Sequence, residues 1–415
     1  MAFKIALSLL LLAAITVNLS ACVPSVQAAD LMTGISGKSV QEKDADAKFI
    51  GNTADFSLAL FKKASSEEKN SLISPLSVLL ALAMTANGAD TQTLSEMEAV
   101  LGGDIGLDAL NEYLYSYVTN LPKDKKARVD IANSIWFQED EDQLLVEKDF
   151  LQKNADYYNA AAYKSPFDGQ TLRDINNWVK ENTDGMIDKI LDQISPAAVM
   201  YLINAVVFDA QWDTVYKKNN IHQGEFTNLD GTKQTAEFMH SEESIYLDDG
   251  RATGFIKPYA DNKYSFVALL PNEGITVGDY IQGLTGEGFL QTIDGAVNTA
   301  VSAALPKFSY DYTIQMNAAL LSLGMPTAFS PETADFSKLG KSARGNIYIG
   351  EVLHKTFIQV DELGTKAGAV TKVEMKCGSV MEAKVVRLDR PFVYAIIDNA
   401  SKLPVFIGAV MEIAD

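Results

Sequence analysis

What most limits the folds open to this chain is a set of strand-length apolar runs in its second half. Met200 to Phe208, Tyr264 to Leu270, Thr299 to Leu305, Phe392 to Ile397 and Pro404 to Met411 are apolar with few interruptions. They stop at Pro271, at Pro306 and at Asp398-Asn399. Proline has no N–H to give a ladder, and Asp and Asn bond their own backbone into turns. A strand apolar along its whole length needs cover on both faces of its sheet. The first half reads as helices instead. Phe56, Leu58, Leu60 and Phe61 mark one, and Ser74-Pro75 caps and opens a second that runs to Met84. Leu94 to Leu101, Leu107 to Tyr117 and Leu172 to Val179 follow, punctuated by Gly88 and Gly102-Gly103. Helices first and strands later predict an α+β fold.

The amino terminus has the composition of an export signal. Lys4 precedes a mostly apolar stretch from Ile5 to Leu19, the length of a signal core and marginal for a spanning helix. Ser25, Gln27 and Asp30 then argue against a stop-transfer anchor. Leu19-Ser20-Ala21-Cys22 reads as a bacterial lipoprotein box. Residues 1–21 would be the signal peptide, and Cys22 would become the lipid-bearing first residue in the cell envelope or at the cell surface. Ordinary cleavage after Val26-Gln27-Ala28 is the alternative, giving a secreted or periplasmic protein. Residues 31–48 are polar, so 22–48 is expected to be a flexible tether and 49–415 the folded unit. Cys377 is the other cysteine. If Cys22 carries lipid, no internal disulfide can form, and the fold rests on a core that 47% apolar residues can supply. A chain of 415 residues suggests two domains on size alone.

Charge and motifs narrow the function. A net charge of −19 repels phosphate backbones, so no nucleic-acid partner is expected. The densest basic stretch, Lys123, Lys125, Lys126 and Arg128, is flanked by acids and reads as a solvated turn. His222, His240 and His354 stand in no metal-ligand spacing, and there is no nucleophile elbow. Gly340-Lys341-Ser342 resembles the tail of a phosphate loop, but Asp335 occupies the position of its required earlier glycine. No metal, cofactor or enzymatic activity is expected. Distant residues could still assemble a hydrolase triad, which one turnover assay would reveal.

Many short segments along the chain form one ordered series. They begin with Asn70 to Ser77 and Gly88-Ala89, then Ile175-Asn176 with Trp178, Thr183 and Gly185. Leu202 to Ala205 with Phe208 and Trp212, Leu305 to Phe308, and Leu323 to Met325 continue in order. Ala334 to Ser337, Val352 to Lys355, Asp361 to Thr365, Arg390 to Phe392 and Phe406 to Gly408 complete the series. Together these segments resemble the serpin family of serine protease inhibitors, and the resemblance implies one domain of three β-sheets and about nine helices with an exposed reactive-centre loop, overruling the two-domain expectation. It implies a "shutter" of Ser74, Ser77, Asn204 and His354, and a "breach" of Trp212, Lys307 and Glu362.

Residues 364–377 carry a period-two pattern of their own. Thr365, Ala367, Ala369, Thr371, Val373, Met375 and Cys377 share one face, small or apolar; Lys366, Lys372, Glu374 and Lys376 charge the other. That is a half-buried strand. The plain reading is an ordinary edge strand. The resemblance implies a loop that lies outside until a protease cuts it and then inserts, with Glu362, Gly364, Thr365, Ala367, Gly368 and Ala369 as its hinge. No inward-facing charge would need desolvation. The family's spacing places the cleaved bond at Gly378-Ser379, with Lys376 and Cys377 as alternatives. Gly378 suits an elastase- or subtilisin-like target and Lys376 a trypsin-like one. The implied partner is a serine protease held covalently by a monomeric inhibitor; a papain-like cysteine protease stays open as a second class. A non-inhibitory serpin acting as a binding module or chaperone is the competing reading.

Overall fold

The structure, a computed structural model, describes residues 26–121, 127–139, 144–195, 198–343, 345–365 and 383–413. Its organising helix is Pro75–Ala86, capped by the Ser74 hydroxyl, which accepts from the Ser77 N–H at 3.4 Å. Every residue of this helix is buried. A helix apolar all round belongs inside a fold, and this one packs beneath the central strand Met200–Gln211. Helices Ala47–Ala64, Thr91–Leu101 and Leu107–Thr119 extend the segments read from sequence by a turn or less at most ends and bracket it.

The described residues form nine α-helices and three sheets, an α+β fold. The seven-stranded sheet runs Ala29–Asp30, Ala161–Ser165, Ala127–Gln138, Met200–Gln211, Gly364–Thr365, Glu351–Val360, Phe308–Gln315. The nine-stranded sheet contains all the other apolar runs: Val297–Pro306, Tyr264–Pro271, Phe392–Asp398 and Pro404–Val410. Gly340–Lys341 and Leu145–Val146 make the third sheet. One continuous core joins Phe49 in the first helix to Ile413 near the last strand, so the size-based expectation of two domains fails. A second cluster, including Trp136, Trp178 and Tyr201, fills the space under helix Gly169–Asn182.

The tether expected over 22–48 does not float over its described part. Ala29 and Asp30 pair with Lys164 and Tyr163 at the edge of the seven-stranded sheet. The backbone N–H groups of Gln27 and Ala28 donate to Asp174 Oδ2 at 3.0 and 2.9 Å. Leu31, Met32 and Ile35 lie against the main core. An open sheet edge offers unpaired backbone groups, and a polar composition does not stop a short strand from satisfying them when a few apolar residues sit beside it.

Candidate functional site

The Met200–Gln211 and Glu351–Val360 strands run parallel. Among the described residues they pair with each other only from Tyr201↔Glu351 to Ala205↔Lys355. Asn204 and His354 face each other in that register. His354 Nδ1 lies 2.7 Å from Asn204 Oδ1, while its Nε2 accepts from the Ser74 N–H at 3.0 Å. That pair of bonds fixes the neutral imidazole with its proton on Nδ1. Asn204 Nδ2 donates to the Ser77 carbonyl at 2.9 Å, to the Ser77 hydroxyl and to Asn133 Oδ1 at 2.5 Å. The structure thus brings together Ser74, Ser77, Asn204 and His354, and adds Asn133 from the next strand. All four sequence-predicted members are fully buried, and burial pulls the His354 pKa down to about 3.

Above Ala205 and Lys355 the two strands part, and Gly364–Thr365 lies between them. Gly364 pairs with Gln211, and Thr365 with Ala210 on one side and Val360 on the other. Thr365, expected outside until cleavage, is only 1% exposed. The first two residues of the strand pattern are already in the sheet, which corrects the picture of a wholly external loop. Gly364 fits because a Cβ there would sit 2.1 Å from the Ala210 carbonyl oxygen.

The seat of this hinge is built from side chains and backbone together. Trp212 donates its N–H to the Leu363 carbonyl at 2.9 Å and its indole Nε1–H to the Asp361 carbonyl at 2.8 Å. Tyr216 donates its N–H to the Glu362 carbonyl at 3.0 Å. Asp361 closes the turn, its carboxylate accepting from the Leu363 N–H at 2.8 Å. Tyr259 stacks on Trp212, centroids 4.5 Å apart, and its hydroxyl lies 2.5 Å from Thr365 Oγ1. Lys307 bridges Glu362 at 2.7 Å and Glu237 at 3.1 Å. The Lys307 hydrogen bond holds the Glu362 carboxyl below its ordinary pKa.

Lys307 and Glu362 therefore meet, and Trp212 holds the carbonyls on either side of Glu362. Asp361, Tyr259 and Asn133 were missed. An Asn inside the strand-forming run Ile131 to Phe137 was a usable signal of a buried polar partner; Tyr259 and Asp361 gave none. Ala367, Gly368, Ala369, the reactive-bond positions Lys376, Cys377, Gly378 and Ser379, and the lipidation position Cys22 lie outside the described residues.

Comparison with known proteins agrees with this geometry. The family model for serpins, described as serine protease inhibitors, matches residues 51–413. An uncharacterised serpin-like protein of Thermococcus kodakarensis is 28% identical over 385 residues, spanning 90% of this chain and 88% of its own. Human serpin B8 is 29% identical over 371 residues, 85% of this chain and 96% of its own. Among solved structures, the native state of the thermophilic serpin tengpin superposes with a TM-score of 0.90 at 57% identity, covering 94% of this chain and all of that one. Its latent state superposes less closely, with a TM-score of 0.81 over 90% of this chain. With the sheet, the seated hinge and a family match over almost the entire folded unit, the chain belongs to the serpin family.

Proposed function

We propose that this protein is an exported inhibitor of serine proteases that acts as a single-use substrate. The observation that carries the reading is the seated hinge. Continuing its register, residues 366–369 would pair with 209–206 on one strand and 359–356 on the other, filling the space above Ala205 and Lys355 where the two strands part. Ala367 and Ala369 then follow Thr365 on the inward face, and neither brings a charge to desolvate. The target's serine attacks the carbonyl of Gly378, the Ser379 amine leaves, and an acyl-enzyme forms. Insertion competes with hydrolysis of that ester. If insertion wins, the loop becomes a strand of the central sheet and the protease stays attached. The intact molecule is then a kinetic trap, less stable than its cut form. Cys22 is the site of lipid attachment in this reading, and the membrane is reached through that lipid.

Incubation with an elastase- or subtilisin-like serine protease should give an SDS-resistant band near the summed masses. The released carboxy-terminal fragment should begin at Ser379. A fragment beginning at Cys377 would move the reactive residue to Lys376 and the target to a trypsin-like enzyme. Cleavage by every such protease without a covalent band would overturn inhibition itself.

A further inference from the structure

An ion pair lies sealed directly beneath the hinge seat, unused by the insertion chemistry above. Lys257, on strand Ala252–Pro258, meets Glu243, on strand Lys233–Asp248, at 2.8 Å, with side chains 3% and 8% exposed. The Ser241 hydroxyl donates to the same Glu243 oxygen at 2.6 Å. On its other sides the Lys257 ammonium faces two rings, 4.5 Å from the centroid of Tyr216 and 5.5 Å from that of Trp212. Burial alone would push this ammonium toward neutrality; Tyr216 and Glu243 beside it reverse the direction and hold its pKa above the ordinary lysine value.

A buried ion pair is weak evidence for stability, because apolar residues of similar volume commonly serve as well or better. Position is what gives this one a use. Trp212 and Tyr216 are the residues whose N–H groups hold the carbonyls of 361–363, and Trp212 is the plate on which Tyr259 lies as it reaches Thr365. A cation over a ring face attracts it, and more strongly when water is excluded. One ammonium therefore pins both rings, and through them the bonds that seat the hinge.

We propose that Lys257 and Glu243 are positioning residues for reactive-loop insertion. Glu243 holds the ammonium, the ammonium fixes Trp212 and Tyr216, and the fixed rings keep the hinge at the mouth of the sheet so that a cut loop enters without first having to find it. The proposal rests on the inhibitor reading above. An acyl-enzyme partitions between insertion and hydrolysis, so slower insertion appears as more inhibitor consumed per protease trapped.

The test uses the purified full chain. Lys257→Met/Glu243→Leu removes both charges and leaves no lone buried ion; Glu243→Gln keeps the shape and one acceptor and leaves the ammonium over the rings without its counter-ion. The protease should cut the loop of either variant at the wild-type rate and bond. The double variant should consume on the order of tenfold more inhibitor per protease trapped, the scale of a cation–π contact in a desolvated site, and Glu243→Gln several-fold more. Emission from Trp212, isolated in a Trp136→Phe/Trp178→Phe background, should broaden in both. A uniform loss of stability would lower the thermal midpoint without dividing cleavage from trapping in this way. Wild-type stoichiometry in both variants would overturn the proposal. A wild-type chain that forms no covalent complex would instead overturn the inhibitor reading, before any variant is made.

Discussion

His354 illustrates how far a single side chain can be from its ordinary chemistry. In an unfolded chain its imidazole takes a proton near pH 6.5; in the fold it stays neutral down to about 3, because burial disfavours the charge. Between those values the unfolded state holds one more proton, so stability rises with pH across that window and is lost as pH falls through it. Going from pH 6.5 to 5 should cost about 2 kcal/mol from this residue. Thermal midpoints measured across that range should fall steadily for the wild type and more gently for His354→Gln; parallel slopes would show that His354 titrates normally. Glu362 predicts the opposite kind of result. Its side chain is 33% exposed, and Lys307 keeps Glu237 as a second partner. A pair this wet contributes less than about 1 kcal/mol, so Glu362→Gln should leave the thermal midpoint within a few degrees of wild type while loosening the base of the loop.

At the scale of elements, the hinge strand is two residues long and held on both sides. Thr365→Arg would bury an unpaired charge against Tyr259, at a cost of several kcal/mol, and so should expel the strand from the intact molecule as well as obstruct its later growth. The loop should still be cut at the same bond, but covalent complex should fall to a small fraction of wild type on SDS gels. Undiminished complex would mean that the strand pattern of 364–377 does not describe an inserting segment. The element-level reading from sequence succeeded where packing and propensity agree. The apolar strands and the Ser74-Pro75 helix start are stated by residues that have no alternative use. It missed Ala127–Gln138, a strand in the half that reads as helical. Arg128 and Asp130 belong to a half-exposed charged group with Asp184, and Asn133 and Ser134 are polar because they turn to buried partners. Period and polarity are therefore blurred by tertiary contacts. The docked segment 26–35 was illegible for the same reason, since its partners are 130 residues or more away.

For the whole molecule, insertion adds a strand to the sheet, so the cut protein should melt far above the intact one, and cut Thr365→Arg should gain less. Calorimetry of the two forms checks this; equal midpoints would deny that the intact state is a trap. Cys22→Ser should release the protein from membranes of its native host and leave trapping intact. The position of strand Ala29–Asp30 would give the proposed attachment a direction. Asp30, Tyr163, Trp136 and Tyr201 form one row across the sheet, whereas Thr365 sits in the row of Ala210, nine residues farther along the same strand and about 30 Å away. The described chain from residue 26 to Asp30 thus lies toward the pole opposite the hinge. By the register that begins at Thr365↔Ala210, full insertion would bring residue 374 level with Tyr201 and carry Gly378 beyond that far pole. On the proposed reading, a surface holding the amino terminus would lie at the pole opposite the hinge, and a captured enzyme would be delivered toward it: the molecule would have an outward end for encounter and an inward end for storage.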